Sequence, residues 1–211
     1  MKVPLATVNR MSFAADANVR LMNTKIICRI RPLNRNERKI GGHGCVDYTT
    51  DNIEVFTSSG QYPFDCDYIF DESASQMDIF DYCARPLVED ALAGINSTIL
   101  AYGQTSSGKT YTIEGEKSDP SKIGIVPRTV TALLEAAAER NLSTEFTFRI
   151  SYIEIYMEKV KDLLIEEVLP IGDLQRTVKI VGVNISEKTI SSFDQFMKYW
   201  KAGRTHDILS I

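Results

Sequence analysis

The sequence contains no apolar run approaching the roughly 20 residues a helix needs to cross a bilayer. Residues 1–23 hold no apolar segment of the kind that opens a secretory signal. Histidine is scarce, with only His43 and His206, and the four cysteines (Cys28, Cys45, Cys66, Cys83) form no CxxC pair. That spacing argues against a zinc site and a disulfide framework, and for thiols in a reducing, cytoplasmic setting. Excess positive charge is missing too. Lys and Arg number 24 against 28 Asp and Glu, and the net charge of −4 argues against a general nucleic-acid binder. No low-complexity tract, internal repeat or heptad pattern is present.

What remains is ordinary globular composition, 44% hydrophobic and 25% charged over 211 residues, enough for one self-sufficient core. Residues 1–24 lack periodicity and read as a flexible extension ahead of a domain over 25–211. The β-branched run 25–31, closed by Pro32, predicts a buried strand. Alternating pieces at 45–48, 52–57 and 62–70, separated by turn residues, predict a small antiparallel lobe. Ser75 can cap a helix that Pro86 divides in two and Gly94 stops. Residues 97–102 form a continuous apolar run read as a strand, followed by a glycine-rich loop and a helix from Lys109. A helix over 127–141, a β-rich stretch over 145–157, a helical turn at 160–164, a strand at 178–183 and a helix at 193–202 complete the pattern. Strands alternating with helices predict an α/β fold, a mixed sheet flanked on both faces. The basic cluster Arg29, Arg31, Arg35, Arg38 and Lys39 is open to two readings, a solvated strand end or arginines facing an anionic ligand.

The chemistry lies in Gly103, Gln104, Thr105, Ser106, Ser107, Gly108, Lys109 and Thr110, which satisfy GxxxxGK(S/T) with an apolar run before and a helix after. Glycines let successive backbone N–H groups converge on one concavity that suits phosphate oxygens. Unpaired amides at the start of the following helix add donors. The Lys109 ammonium can neutralise β- and γ-phosphate charge, and the Thr110 hydroxyl can ligate Mg²⁺. Tyr111, next in the chain, can stack on a flat base or pack beneath the loop.

The residues around this loop, from Gly94 to Gly115, resemble the ATP-site signature of kinesin motor heads, in which the loop reads GQTxSGKT. Further segments agree in order: Arg29-Ile30-Arg31-Pro32 with RxRP, Pro63-Phe64-Asp65 through Phe70-Asp71 to Gln76 with FD…VF…Q, and Ile125-Val126-Pro127-Arg128 with IVPR. Residues 151–164 match SYxEIYxExxxDLL. The resemblance runs from Lys25 to about Gly203 and implies a P-loop NTPase-type fold binding Mg-ATP or ADP. It implies that Arg29, Arg31 and Pro32 frame the adenine, and that the partner is a microtubule, on the cytoskeleton. Residues 163–183 would be the part nearest tubulin, with most of that surface further on. Tyr152, Ile153, Ile155 and Tyr156 read as sheet core, Glu154 and Glu158 as a solvated face, and Tyr199 with Trp200 as packing for the final helix.

Two elements of the family pattern, an NxxSSRSH switch and a DxxGxE switch, do not occur among the 211 residues, and Asp207 stands about where the pattern has arginine. Phosphoryl transfer needs a γ-phosphate sensor and an oriented water, so binding is expected to survive better than turnover. The family's fold also implies that the strand entering the loop lies between two strands of later sequence, which leaves residues 99–102 with bare edges here. The other readings are a truncated or degenerate kinesin relative serving as a nucleotide- or partner-binding module, and a P-loop enzyme of another class.

Overall fold

The computed structural model describes residues 24–116, 118–139, 145–164, 167–169 and 185–207. They belong to two compact units, Met1–Thr129 and Val130–Ile211, each with its own sheets.

In the first unit the predicted strand forms β1 (Ile27–Arg29). Pro32 has no N–H to continue a ladder, and the chain turns into α1 (Arg35–Lys39). Asn34 caps this helix. Its side chain accepts from the Glu37 N–H, while the Glu37 carboxylate accepts from the Asn34 N–H. This reciprocal box satisfies two donors that no helical carbonyl can reach. Of the basic cluster left open between a solvated strand end and an anion-facing group, Arg35, Arg38 and Lys39 therefore lie on a capped helix, for which the Asn34-x-x-Glu37 spacing is the sequence signal.

β2 (Val46–Tyr48), β3 (Asn52–Thr57) and β4 (Gly60–Asp65) form the expected antiparallel lobe in that order. The last part of the expected lobe behaves differently. β5 (Tyr68–Phe70) pairs in parallel with β1, setting Cys28 beside Ile69. Cys28, Ile30, Ile53 and Ile69 make one buried cluster, with Val46, Phe64 and Cys66 against it, so the parallel pair and the lobe share a core. Two helices follow, α2 (Gln76–Cys83) and α3 (Arg85–Leu92). Ser75 caps the first through a box with Asp78, and Pro86 sits in the opening turn of the second, where its missing N–H costs nothing.

Residues 97–102, expected as a strand, pair with no strand among the described residues. Leu100 is 84% exposed and Tyr102 64%. An extended chain becomes a strand only by exchanging hydrogen bonds with a neighbour, and apolar composition does not supply one. The family resemblance implied bare edges at 99–102, and no strand among the described residues pairs there. Beyond the loop come α4 (Lys109–Ile113), a 3-10 turn at Pro120–Lys122 and α5 (Ile125–Glu139). Arg128 ties the intervening loop down by donating to the carbonyls of Ile123 (2.8 Å), Ser121 (3.2 Å) and Pro120 (3.3 Å).

In the second unit β6 (Phe148–Ile150) pairs antiparallel with β10 (Lys188–Ile190), while β7 (Ile153–Tyr156), β8 (Lys159–Asp162) and β9 (Glu167–Leu169) form a meander. The helical turn expected at 160–164 is thus a strand for most of its length. Met157 and Glu158, both at positive φ, make the two-residue hairpin that returns the chain along β7. Ile155 and Tyr156, read as sheet core, are 65% and 61% exposed, because they sit at the turn end of this hairpin. Asp162 is wholly buried and accepts from Leu164 N–H, Ser186 N–H and Ser186 Oγ–H. α6 (Phe193–Asp207) buries Phe196 and Trp200, and the Trp200 ring stacks on Tyr152 at 5.3 Å, as its predicted packing role required. The extension 1–23 and the strand expected at 178–183 lie outside the described residues.

Candidate nucleotide-binding site

The loop from Gly103 to Thr110 is shaped by three residues at positive φ: Gly103 (155°), Ser106 (65°) and Gly108 (107°). Two of the three are glycines, which reach that region without steric cost. A Cβ on Gly103 would also lie 2.5 Å from Ser107 Oγ, so a side chain here would have to displace the Ser107 hydroxyl as well as strain the backbone. The Ser107 N–H closes a turn onto the Gln104 carbonyl at 3.1 Å. Lys109 reaches back across the loop, donating to the carbonyls of Gly103 and Gln104 at 2.8 Å each. An ammonium has three donors, so this anchorage leaves one direction for an anion.

The first helical bond of α4 runs from Thr112 N–H to the Gly108 carbonyl at 2.9 Å. The amides of Lys109, Thr110 and Tyr111 therefore precede the helical ladder. With only five residues α4 has a small dipole, so the loop amides and Lys109 supply most of the positive field. Gln104, Thr105, Ser106 and Thr110 are exposed at the loop surface, so the Thr110 hydroxyl is accessible to a cation. A glycine-shaped backbone cradle, one lysine and an exposed threonine fit a triphosphate with Mg²⁺.

The structure brings the remaining predicted residues to this loop by two routes. Arg31 donates from Nε to the Ser106 carbonyl at 3.0 Å and forms a fork with Glu37 at 2.6 and 2.8 Å. Its Nη1 also donates to the Pro32 carbonyl at 2.9 Å, and Pro32 itself is exposed. The fork raises the Arg31 pKa, and the same hydrogen bond, with help from Asn34 N–H, holds the Glu37 carboxyl down at about 2. Arg29 takes the other route. Its Nη1 donates to Gln76 Oε1 and Thr112 Oγ1, both at 2.9 Å, and its guanidinium lies 5.2 Å from the Tyr111 ring centroid. Burial lowers the Arg29 pKa, opposed by Tyr111 and Cys83, but a guanidinium remains charged at any physiological pH. Tyr111 stays 37% exposed beside it.

Both arginines are thus engaged with protein groups, and neither hangs free in solvent. Sequence reasoning assigned no role to Glu37, Gln76 or Thr112. The first was visible as the closing residue of a capping box. Gln76 stood in the sequence only as the last residue of the FD…VF…Q match, and Thr112 carried no signal, since their shared partner Arg29 lies 47 and 83 residues from them.

Fold and loop together define an α/β domain of the phosphate-loop class. The family model described as "Kinesin motor domain" matches residues 29–209, and this chain belongs to that family. It is 35% identical to the kinesin heavy chain of Syncephalastrum racemosum over 89% of this chain and 20% of that protein. It is 41% identical to the kinesin-1 heavy chain of Homo sapiens over 67% of this chain and 14% of that one. With the kinesin-like protein 3 of Schizosaccharomyces pombe it shares 40% identity over 70% of this chain and 27% of that one. The chain therefore spans between about a seventh and a quarter of the length of these relatives. A solved structure of a fast kinesin, described for its ATPase mechanism and interactions with microtubules, superposes with a TM-score of 0.76 at 36% identity, over 86% of this chain and 52% of that one. The fold is accordingly the mixed-sheet α/β arrangement of a kinesin head, shorter than a full head.

Proposed function

We propose that this chain is the nucleotide-binding portion of a microtubule motor head, binding Mg-ATP or ADP at Gly103, Gln104, Thr105, Ser106, Ser107, Gly108, Lys109 and Thr110 on the cytoplasmic cytoskeleton. The observation that carries the reading is the loop itself: residues 103, 106 and 108 at positive φ, with Lys109 folded across the loop carbonyls. Thr110 would hold Mg²⁺, which when bound supplies charge to the β- and γ-phosphate oxygens. Arg29, Tyr111 and the Arg31–Pro32 turn form the side where a base would lie. Membership of a family whose relatives are named kinesins supports ATP and the microtubule as ligands over the guanine nucleotides of other P-loop enzymes.

Turnover by these 211 residues alone is slow in this account. Neither NxxSSRSH nor DxxGxE occurs among them, and charge stabilisation without an oriented water leaves the chemical step unassisted. Steady-state phosphate release with and without polymerised tubulin tests this. No stimulation is expected, and stimulated turnover by the 211-residue chain would refute the weak-hydrolysis claim. Binding is tested separately by thermal unfolding with Mg-ATP. At a hundredfold excess over Kd the bound nucleotide should add about 2.7 kcal/mol of stability, and Lys109→Ala should remove most of it.

A further inference from the structure

We propose that Gln76 is a positioning residue for the base side of this site, holding Arg29 and Tyr111 in register for the purine of a nucleoside triphosphate. The inference rests on the nucleotide-binding reading above. Gln76 opens α2 and is only 2% exposed. A buried amide must satisfy two donors and an acceptor or lose their hydration without return. All three point toward one side of the site. Nε2 donates to the Tyr111 carbonyl at 2.6 Å and the Lys122 carbonyl at 3.1 Å, while Oε1 accepts from Arg29 Nη1 at 2.9 Å. These partners also fix which way the amide faces, since the flipped form would set its oxygen against two carbonyls and its NH₂ against a guanidinium.

Gln76 therefore joins β1, the helix after the phosphate loop and the loop that follows it. The Arg29 guanidinium that it anchors lies 5.2 Å from the Tyr111 ring, and Gln76 fixes the backbone of Tyr111 as well. Tyr111 is 37% exposed, and its ring is the flat surface this arrangement offers to a ligand. The phosphate cradle is held by different groups: Lys109 on the carbonyls of Gly103 and Gln104, and Arg31 on Ser106. None of the hydrogen bonds described for Gln76 reaches residues 103–110. Loss of Gln76 should loosen recognition of the base and leave triphosphate binding in place.

Calorimetric titration of the full chain with Mg-ATP and with Mg-tripolyphosphate reads the two parts separately. Gln76→Met, close in volume but with no donor and only a weak sulfur acceptor, should weaken Mg-ATP about tenfold and Mg-tripolyphosphate by no more than about twofold. Equal weakening of both ligands, or of neither, would overturn the positioning role. Circular dichroism establishes whether the variant is folded. If it is not, Gln76→Glu serves instead, keeping an acceptor for Arg29 and losing both donations. With an oxygen now facing the carbonyls of Tyr111 and Lys122, it should show a loss at least as large and confined to Mg-ATP, and any other pattern overturns the role. Wild-type chain that binds tripolyphosphate as tightly as ATP would sink this inference and spare the phosphate loop. Wild-type chain that binds neither would sink both.

Discussion

Arg29, the last residue of β1, and Arg31, two residues further on, are held in opposite ways. Arg31 is clamped by a carboxylate and braces the phosphate loop through a backbone carbonyl. Arg29 is held by neutral partners, Gln76 and Thr112, next to an aromatic ring. One side is organised by charge and the other by a buried amide. The difference supports the proposed division of labour within one RxRP element, with Arg31 bracing the loop backbone and Arg29 set beside the Tyr111 ring. It also gives each arginine its own sensitivity, Arg31 to the charge of Glu37 and Arg29 to the shape of its neutral partners.

The largest effect should come from breaking the element both sides depend on. Gly108→Val puts a β-branched residue at φ 107°, a strain of about 1–3 kcal/mol. Titration should show both Mg-ATP and Mg-tripolyphosphate weakened by about tenfold or more. Asp162→Asn, in the other unit, should cost about 1–3 kcal/mol by disturbing three hydrogen bonds to a buried carboxylate. Denaturant unfolding measures that loss, and nucleotide affinity should not change with it. Glu37→Gln should weaken both ligands equally, by about threefold, because it loosens Arg31 without touching the base side. An effect on Mg-ATP alone would erase the division between the two arginines.

The acid limb sharpens the same contrast. The folded-state pKa of Glu37 is depressed from 4.5 to about 2, so its contribution to stability is complete above pH 4.5 and fades as pH falls toward 2. Acid unfolding of Glu37→Gln, compared with the parent chain, should lack that portion of the transition. Smallest of all, Ser75→Ala removes the cap of α2 and should lower stability by about 1 kcal/mol, read from the thermal midpoint. If it also lowered Mg-ATP affinity selectively, the cap would be implicated in placing Gln76 beside it.

Local chemistry made much of this molecule legible in the sequence. The phosphate loop, the Ser75 cap, the helix break at Pro86 and the packing role of Trp200 all follow from short-range rules, and the structure has each of them. Pairing was less legible. Residues 97–102 and 27–29 are similarly apolar, but only the second finds a partner strand among the described residues, and no feature of its own composition says so. β5 was assigned to the antiparallel lobe because it follows that lobe in sequence, and its parallel partner lies about 40 residues earlier. The 160–164 segment shows the same weakness on a smaller scale, since Val160 and Leu163 at helical spacing also suit a hairpin strand and the turn after it. The site divides in the same way, into a loop visible as a motif and a supporting shell visible only once the chain is folded.

The most direct test is calorimetry of the folded 211-residue chain with Mg-ATP, run beside Lys109→Ala. The account predicts saturable one-site heat in the parent and little or none in the variant. Equal heats from the two proteins, or none from a well-folded parent, would contradict the claim that residues 103–110 cradle a triphosphate.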